Sequence, residues 1–292
     1  MNNKIDVIIP VKERFSLLLN ALKTIDLQTL KPEKVWIIDD CSVEKIGDFG
    51  NYSFQIEILR NEKNMGPSYS CNLGARKSNA DFIAILETDD LWLPEKLYKQ
   101  HQMAVRYNLD FVYCNYTINN KKNTQKFSNK NDQIFEFLLR RWSCPNPSTF
   151  FLKRDSFIKA NGFDETMIGT HDHDFWMRIS QLDFKFDYVD EFLVKIEDFN
   201  HNQMSRDYKT RIKSITHFTK KHKKIIIANK GESYYKTYKK ELLSRALIPC
   251  LKKTILDLNL VGFILILRYL LFSKIFYKRL IRKLSINNER NK

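Results

Sequence analysis

The chain has 292 residues, 43% hydrophobic and 28% charged, which excludes a disordered polymer and leaves room for one large or two smaller packed domains. Its net charge of +15 is unevenly placed. From Arg206 to Lys292 there are 23 Lys/Arg against 5 Asp/Glu, a net +18, whereas residues 1 to 205 carry 26 against 29, a net −3. Five cysteines (Cys41, Cys71, Cys114, Cys144, Cys250) lack paired metal spacing, and Asp6 interrupts a start without a long apolar run. A cytosolic chain with free thiols and no secretory leader is therefore expected.

Asp6-Val-Ile-Ile-Pro10 reads as a first strand, and 15–29 as an amphipathic helix with Leu18, Leu19, Leu22 and Ile25 on one face. Val35–Ile38 is a second strand ending at Asp39-Asp40, and Gln55–Leu59 a third. A helix follows over Pro67–Ser78, then a buried strand over Phe82–Leu86. Residues 119–132 are polar and turn-rich, a hairpin or exposed loop, and Asn146–Leu152 returns to strand character. A helix over Arg154–Asn161 ends at Gly162, and Lys-rich helices run from about 206 to 253. This alternation predicts an α/β fold, a Rossmann-like, mostly parallel sheet flanked by helices, with a helical C-terminal extension.

Ligands on such sheets bind beyond the carboxyl ends of the strands. Both Asp39-Asp40 and Glu87-Thr-Asp89-Asp90 fall at that edge. Three carboxylates in four positions after a buried strand repel one another unless a positive group sits among them. Mg²⁺ or Mn²⁺ suits such oxygen donors; a solvated acidic turn is the plainer alternative. Asp39-Asp40-Cys-Ser42 also suits a helix cap or turn, and the glycines at 66 and 74 suit a plain loop-to-helix turn.

Taken in order, several short motifs resemble those of family-2 glycosyltransferases of the GT-A fold, over about residues 1–205. They are Val7-Ile-Ile-Pro10, Ile37-Ile-Asp-Asp-Cys-Ser42, Asn64-Met-Gly66 with Asn72-Leu-Gly74, Leu86-Glu-Thr-Asp-Asp90, Pro147-Ser-Thr149, Gly162-Phe-Asp-Glu165 and His171-Asp-His-Asp-Phe-Trp176. Each is weak alone; their order carries the resemblance. It implies an inverting enzyme that uses a nucleotide-sugar donor, UDP-linked by preference. Asp39 and Asp40 would then read the base, with Pro10 to Arg14 on its other side. Asn64, Gly66, Asn72 and Arg76 would frame the phosphates. Asp89 would hold the metal, aided by Glu87, Asp90 and His201, and Asp172 would be the catalytic base. The chain departs from the family pattern at Glu87, where aspartate is usual, and at His171, where glutamate is usual. A zinc site on His171 and His173 lacks a third ligand in the sequence, and His201 equally suits a solvated surface.

Leu258–Leu267 is uncharged but marginal in length for spanning a bilayer, and cations border it. An apolar helix over about 255–283 is expected to lie on an anionic membrane face, making the protein peripheral to the inner side of the cell membrane. A core or dimer helix and a true membrane span are the alternatives. The +18 segment lacks a nucleic-acid module, so a glycan or lipid-linked acceptor is the expected partner rather than nucleic acid. A nucleotidyltransferase and a non-catalytic membrane-associated sugar-nucleotide binder are the rival readings.

Overall fold

A computed structural model describes residues 3–44, 46–47, 49–123, 131–141, 144–196, 208–256, 264, 266–268 and 270. The chain divides into two compact units, Met1–Thr166 with His171–Phe199, and Met167–Thr170 with Asn200–Lys292.

In the first unit, β1 (Ile5–Val11), β2 (Lys34–Asp39), β3 (Gln55–Arg60) and β4 (Phe82–Ile85) pair in parallel in the order β3-β2-β1-β4. β1 and β4 are apolar and buried along nearly their whole length, as strands covered on both faces are, while β3 at the sheet edge is largely exposed. α1 (Phe15–Asp26) buries Leu18, Ala21, Leu22 and Ile25 at helical spacing. α2 (Pro67–Lys77) opens with Pro67 at its first helical position, where proline's missing N–H costs nothing. Gly74 faces β1 so closely that an added Cβ would stand 2.6 Å from Ile8 Cγ2, so its role is packing.

Beyond β4 the sheet becomes mixed. β8 (Phe151–Lys153) runs antiparallel to β4, and β6 (Phe111–Ile118) antiparallel to β8. β9 (Phe186–Ile196) lies parallel to β6, and β5 (Asp90–Trp92) antiparallel to β9. The expected parallel pairing thus holds through β1–β4 and again between β6 and β9, and the remaining pairs make the sheet mixed. Direct reversals need no crossover helix, and the two short strands have no readable period. The expected hairpin is β6–β7 (Lys121–Asn123), turned by Asn119 and Asn120 at φ 47° and 62°. Asn146–Leu152 is strand only from Phe151; Pro147–Thr149 is a 3₁₀ turn, because Asn146 caps it by accepting from the Ser148 N–H at 2.7 Å. The remaining helices of the first unit are α3 (Lys96–Arg106), α4 (Asn131–Arg141), α5 (Arg154–Lys159) and α6 (His171–Ile179).

The second unit holds α7 (Tyr208–Lys221), α8 (Lys223–Lys230) and α9 (Glu232–Leu256). Tyr208, Leu247, Cys250, Ile266 and Leu270 form one of its apolar clusters. Among the described residues no helix is long and apolar enough to cross a membrane. Most of the helix expected over about 255–283, and His201, lie outside the described residues.

Candidate active site

The carboxyl edge of the parallel strands is where the acidic motifs meet. β2 extends through Asp39, in register with Val11, and the Asp40 N–H donates to the Val11 carbonyl at 2.8 Å. Asp39 is buried and accepts from Arg60 Nη1 at 2.5 Å and from the Ser42 N–H at 2.9 Å. Arg60 ends β3 at the same edge and also donates to the Ser42 carbonyl. The loops on either side hold two non-glycine residues in the left-handed region, Glu13 at φ 52° and Cys41 at φ 62°. Such backbone strain persists only where surrounding contacts impose it. Here the Glu13 N–H donates to Ser42 Oγ and the Glu13 carboxylate accepts from the Val43 N–H.

Asp40 turns inward. It accepts from Asn61 Nδ2 at 2.9 Å, and from the N–H groups of Met65 and Gly66 at 2.7 Å each. Gly66, at φ 86°, lets the chain turn there into α2. Both Asp40 oxygens are thus engaged in shaping this loop. Asn72 is likewise used by the fold: its side chain accepts from the Phe163 N–H and donates to the Phe163 carbonyl, at 2.8 Å each, and donates to Glu165 at 3.0 Å. Arg76 lies in the last turn of α2, ten residues past Gly66 and about 15 Å along the helix axis, with its guanidinium 3.9 Å from Glu165. In this structure the Asp40 and Asn72 side chains make contacts within the fold, and the half-exposed Arg76 faces Glu165. Asn64 is exposed in the loop, and Pro10 is half-buried on β1.

After β4 the chain reverses through Glu87–Asp90, with the Asp90 N–H donating to the Glu87 carbonyl at 3.0 Å. Asp89 reaches Arg14 at 2.5 Å. Glu87 accepts from Asn146 Nδ2 at 3.1 Å, while its N–H donates to Ser148 Oγ at 2.9 Å. Burial, then the Asp89 charge, with a smaller contribution from Asp172, raises the Glu87 pKa from 4.5 to about 7. Burial and the Glu87 charge raise Asp90 well above the ordinary carboxylate value, and its Oδ2 is buried without a hydrogen-bond partner.

The segment 144–149 carries no regular strand, yet it links these carboxylates to α6. Cys144 Sγ lies 3.3 Å from Asp172 Oδ2, and the Trp176 indole donates to the Pro145 carbonyl at 3.4 Å. Asn146 and Ser148 engage Glu87 as above, and the Trp92 indole holds the Ser148 carbonyl at 2.8 Å. Asp172 sits in the first turn of α6, where the helix dipole favours negative charge, and accepts from the His173 N–H at 2.8 Å. Burial opposes its ionisation, but His173 and its amide outweigh that and hold the carboxyl below the usual range. Burial, more than any neighbouring charge, lowers the His171 pKa. Buried Asp174 pairs with Arg178 at 2.8 Å, and Arg178 donates to the Ala160 and Gly162 carbonyls, which fixes the helix orientation. Sequence reasoning missed Arg60, Cys144, Asn146, Ser148 and the contact of His173 with Asp172. Only the position of Arg60 at a strand end offered a signal.

The donor type suits a hard divalent cation, with three carboxylates and one orphaned buried oxygen on Asp90, but among the described residues these three do not bring their ligand atoms within 4.8 Å of one another. As placed, Asp89 is engaged by Arg14 instead.

Residues 6–178 match the family model described as Glycosyl transferase family 2. The chain belongs to that family. A glycosyltransferase of Haemophilus influenzae is 28% identical over 182 residues, 61% of this chain and 62% of that protein. One of Methanocaldococcus jannaschii is 29% identical over 180 residues. The chain thus spans about three fifths of the length of these relatives. Escherichia coli WfgD, a UDP-Glc:alpha-D-GlcNAc-diphosphoundecaprenol beta-1,3-glucosyltransferase, is 30% identical over 112 residues, 37% of this chain and 44% of that one. Among solved structures, S. aureus TarS with UDP-GlcNAc superposes with a TM-score of 0.62 at 16% identity, covering 91% of this chain and 80% of that chain. Mannosyltransferase PcManGT of Pyrobaculum calidifontis, with GDP-Man and Mn²⁺, gives 0.60 at 15% identity, covering 95% and 83%. At such identity these two establish the fold, a mixed α/β curled sheet of GT-A type.

The raised Glu87 pKa has a consequence for stability. A carboxyl whose folded pKa exceeds its unfolded value stabilises the fold fully below about pH 4.5, and that contribution is lost as pH rises through about 7. The loss at pH 8 is on the order of 3 kcal/mol before a cation or conformational relaxation relieves it. Glu87→Gln keeps an oxygen for Asn146 and removes the charge. Thermal denaturation in chelator should show its melting temperature a few degrees above the native chain at pH 8 and level with it at pH 4.5. An equal or lower value at pH 8 would count against the repulsion.

Proposed function

We propose that this chain transfers a sugar, with inversion, from a nucleoside-diphosphate donor, UDP-linked by preference, to a hydroxyl of a glycan or lipid-linked acceptor in cell-surface polysaccharide assembly. The observation that carries the reading is the 144–148 segment, which ties Asp172 and the Glu87–Asp90 carboxylates into one cleft.

Asp39 and Arg60 are suited to the base end of the donor: the carboxylate can accept a ring N–H, and the guanidinium fixes its position. Arg14, already beside Asp89, supplies positive charge toward the diphosphate. Asp89, Glu87 and the free oxygen of Asp90 would hold Mn²⁺ or Mg²⁺, and His201 remains a further candidate ligand. When bound, the cation would neutralise the charge growing on the leaving diphosphate. Asp172, held ionised, takes the proton of the acceptor hydroxyl as its oxygen bonds to the anomeric carbon from the face opposite the diphosphate. The carbon–oxygen bond to phosphate breaks and the nucleoside diphosphate departs with the electron pair. WfgD supports a UDP-linked donor and a diphospholipid acceptor by its name, and the donor complexes of TarS and PcManGT support a nucleotide-sugar in this fold. The basic second unit would rest on an anionic membrane on the cytoplasmic side, keeping the enzyme near a lipid-linked acceptor.

Asp172→Asn should lower turnover roughly 10²–10⁴-fold while leaving donor affinity nearly unchanged. Asp89→Asn should instead weaken donor binding chiefly in the presence of Mn²⁺. Turnover within tenfold of native in Asp172→Asn would refute the assignment of the base. For the membrane contact, the full chain should sediment with vesicles containing anionic lipid in low salt, and be released by high salt. Equal sedimentation with neutral vesicles would overturn that part.

A further inference from the structure

We propose that Cys144, Asp172 and His173 form a second cation site, one that takes a thiophilic divalent ion of the Zn²⁺ class and blocks the proton-accepting carboxylate when filled. These three residues offer ligand atoms that all lie within 4.8 Å of one another. Cys144 Sγ is 3.3 Å from Asp172 Oδ2 and 3.4 Å from His173 Nδ1, and His173 Nδ1 is 3.0 Å from Asp172 Oδ1. With metal–sulfur bonds near 2.3 Å and metal–nitrogen or –oxygen bonds near 2.1 Å, tetrahedral donors stand about 3.3–3.6 Å apart. The sulfur approaches one Asp172 oxygen and the imidazole the other, so a turn of the carboxylate brings one oxygen to face both donors, all already within 4.8 Å, and leaves the fourth position for water.

Two packed elements preset the donors. Asp172 and His173 occupy the first turn of α6, which Arg178 clamps to the Ala160 and Gly162 carbonyls. Cys144 is buried just before the capped Pro147–Thr149 turn. Asp172 and His173 are only part-buried, so an ion has a route in. The thiol and imidazole sort this site from the oxygen-only set at Glu87, Asp89 and Asp90, because soft donors select Zn²⁺-class ions and carboxylates alone select Mg²⁺ or Mn²⁺. On binding, the metal–sulfur bond replaces the S–H bond and the proton leaves to water. The site itself stands on geometry; its inhibitory effect rests on the proposed role of Asp172 as base.

Co²⁺ titrated into the metal-free full chain reads the site through the ultraviolet thiolate-to-metal charge-transfer band. The native chain and Cys41→Ser should each show one such band, saturating at one equivalent and displaced by Zn²⁺. Cys144→Ser should lack it, and His173→Gln should bind roughly tenfold or more weakly. Circular dichroism checks that each variant is folded; if Cys144→Ser is not, His173→Gln decides. No band in the folded native chain, a band surviving in Cys144→Ser, or unchanged affinity in His173→Gln would overturn the site. Inhibition of transfer by one equivalent of Zn²⁺ is expected. A filled site with undiminished transfer would overturn only the blocking of Asp172.

Discussion

Repulsion among carboxylates is the constraint around which this cleft is organised. Glu87, Asp89 and Asp90 leave one strand end within four residues, and Asp172 adds its charge from α6. In water four such charges cost little; behind the packed edge of a sheet they raise one another's pKa values, as Glu87 and Asp90 record. Such a site favours positive charge, and a cation bound as proposed would relieve repulsion already present in the fold.

The surroundings hold the acids together without neutralising them. Asn146 and Ser148 donate and accept single neutral hydrogen bonds, and Arg14 alone among the named neighbours brings a formal charge. Behind the 144–149 segment stands Lys96, fully buried on α3, with its amine 3.9 Å from the centre of the Trp92 ring and 3.4 Å from the Phe150 carbonyl. Burial pushes that amine down to about 7. Trp92 in turn holds Ser148, and Gln100 holds the Thr149 carbonyl. A short irregular segment thereby links two carboxylates that lie 85 residues apart in the chain, Glu87 and Asp172.

Much of this was legible in the sequence, for physical reasons. The apolar runs of β1, β2 and β4 and the helical spacing in α1 announce a parallel sheet with covered faces, and the acidic pairs fall where such sheets bind ligands. Less of the second half of the sheet was legible: strand character showed over Asn146–Leu152, but β5 and β8 are three residues long and too short to show a period. Nor was the inward use of Asp40 and Asn72: a carboxylate that shapes a loop and one that binds a ligand look the same in one dimension. Cys144 and Asn146 reach partners 28 and 59 residues away, contacts that no local pattern encodes.

The most direct test is calorimetry of Mn²⁺ and nucleoside diphosphate binding at pH 7 in two buffers of different ionisation enthalpy. If repulsion holds Glu87 partly protonated until a cation arrives, the heats should differ by the release of at least about half a proton, and Glu87→Gln should reduce the difference by that amount. Heats that are the same in both buffers, with binding intact, would contradict the account.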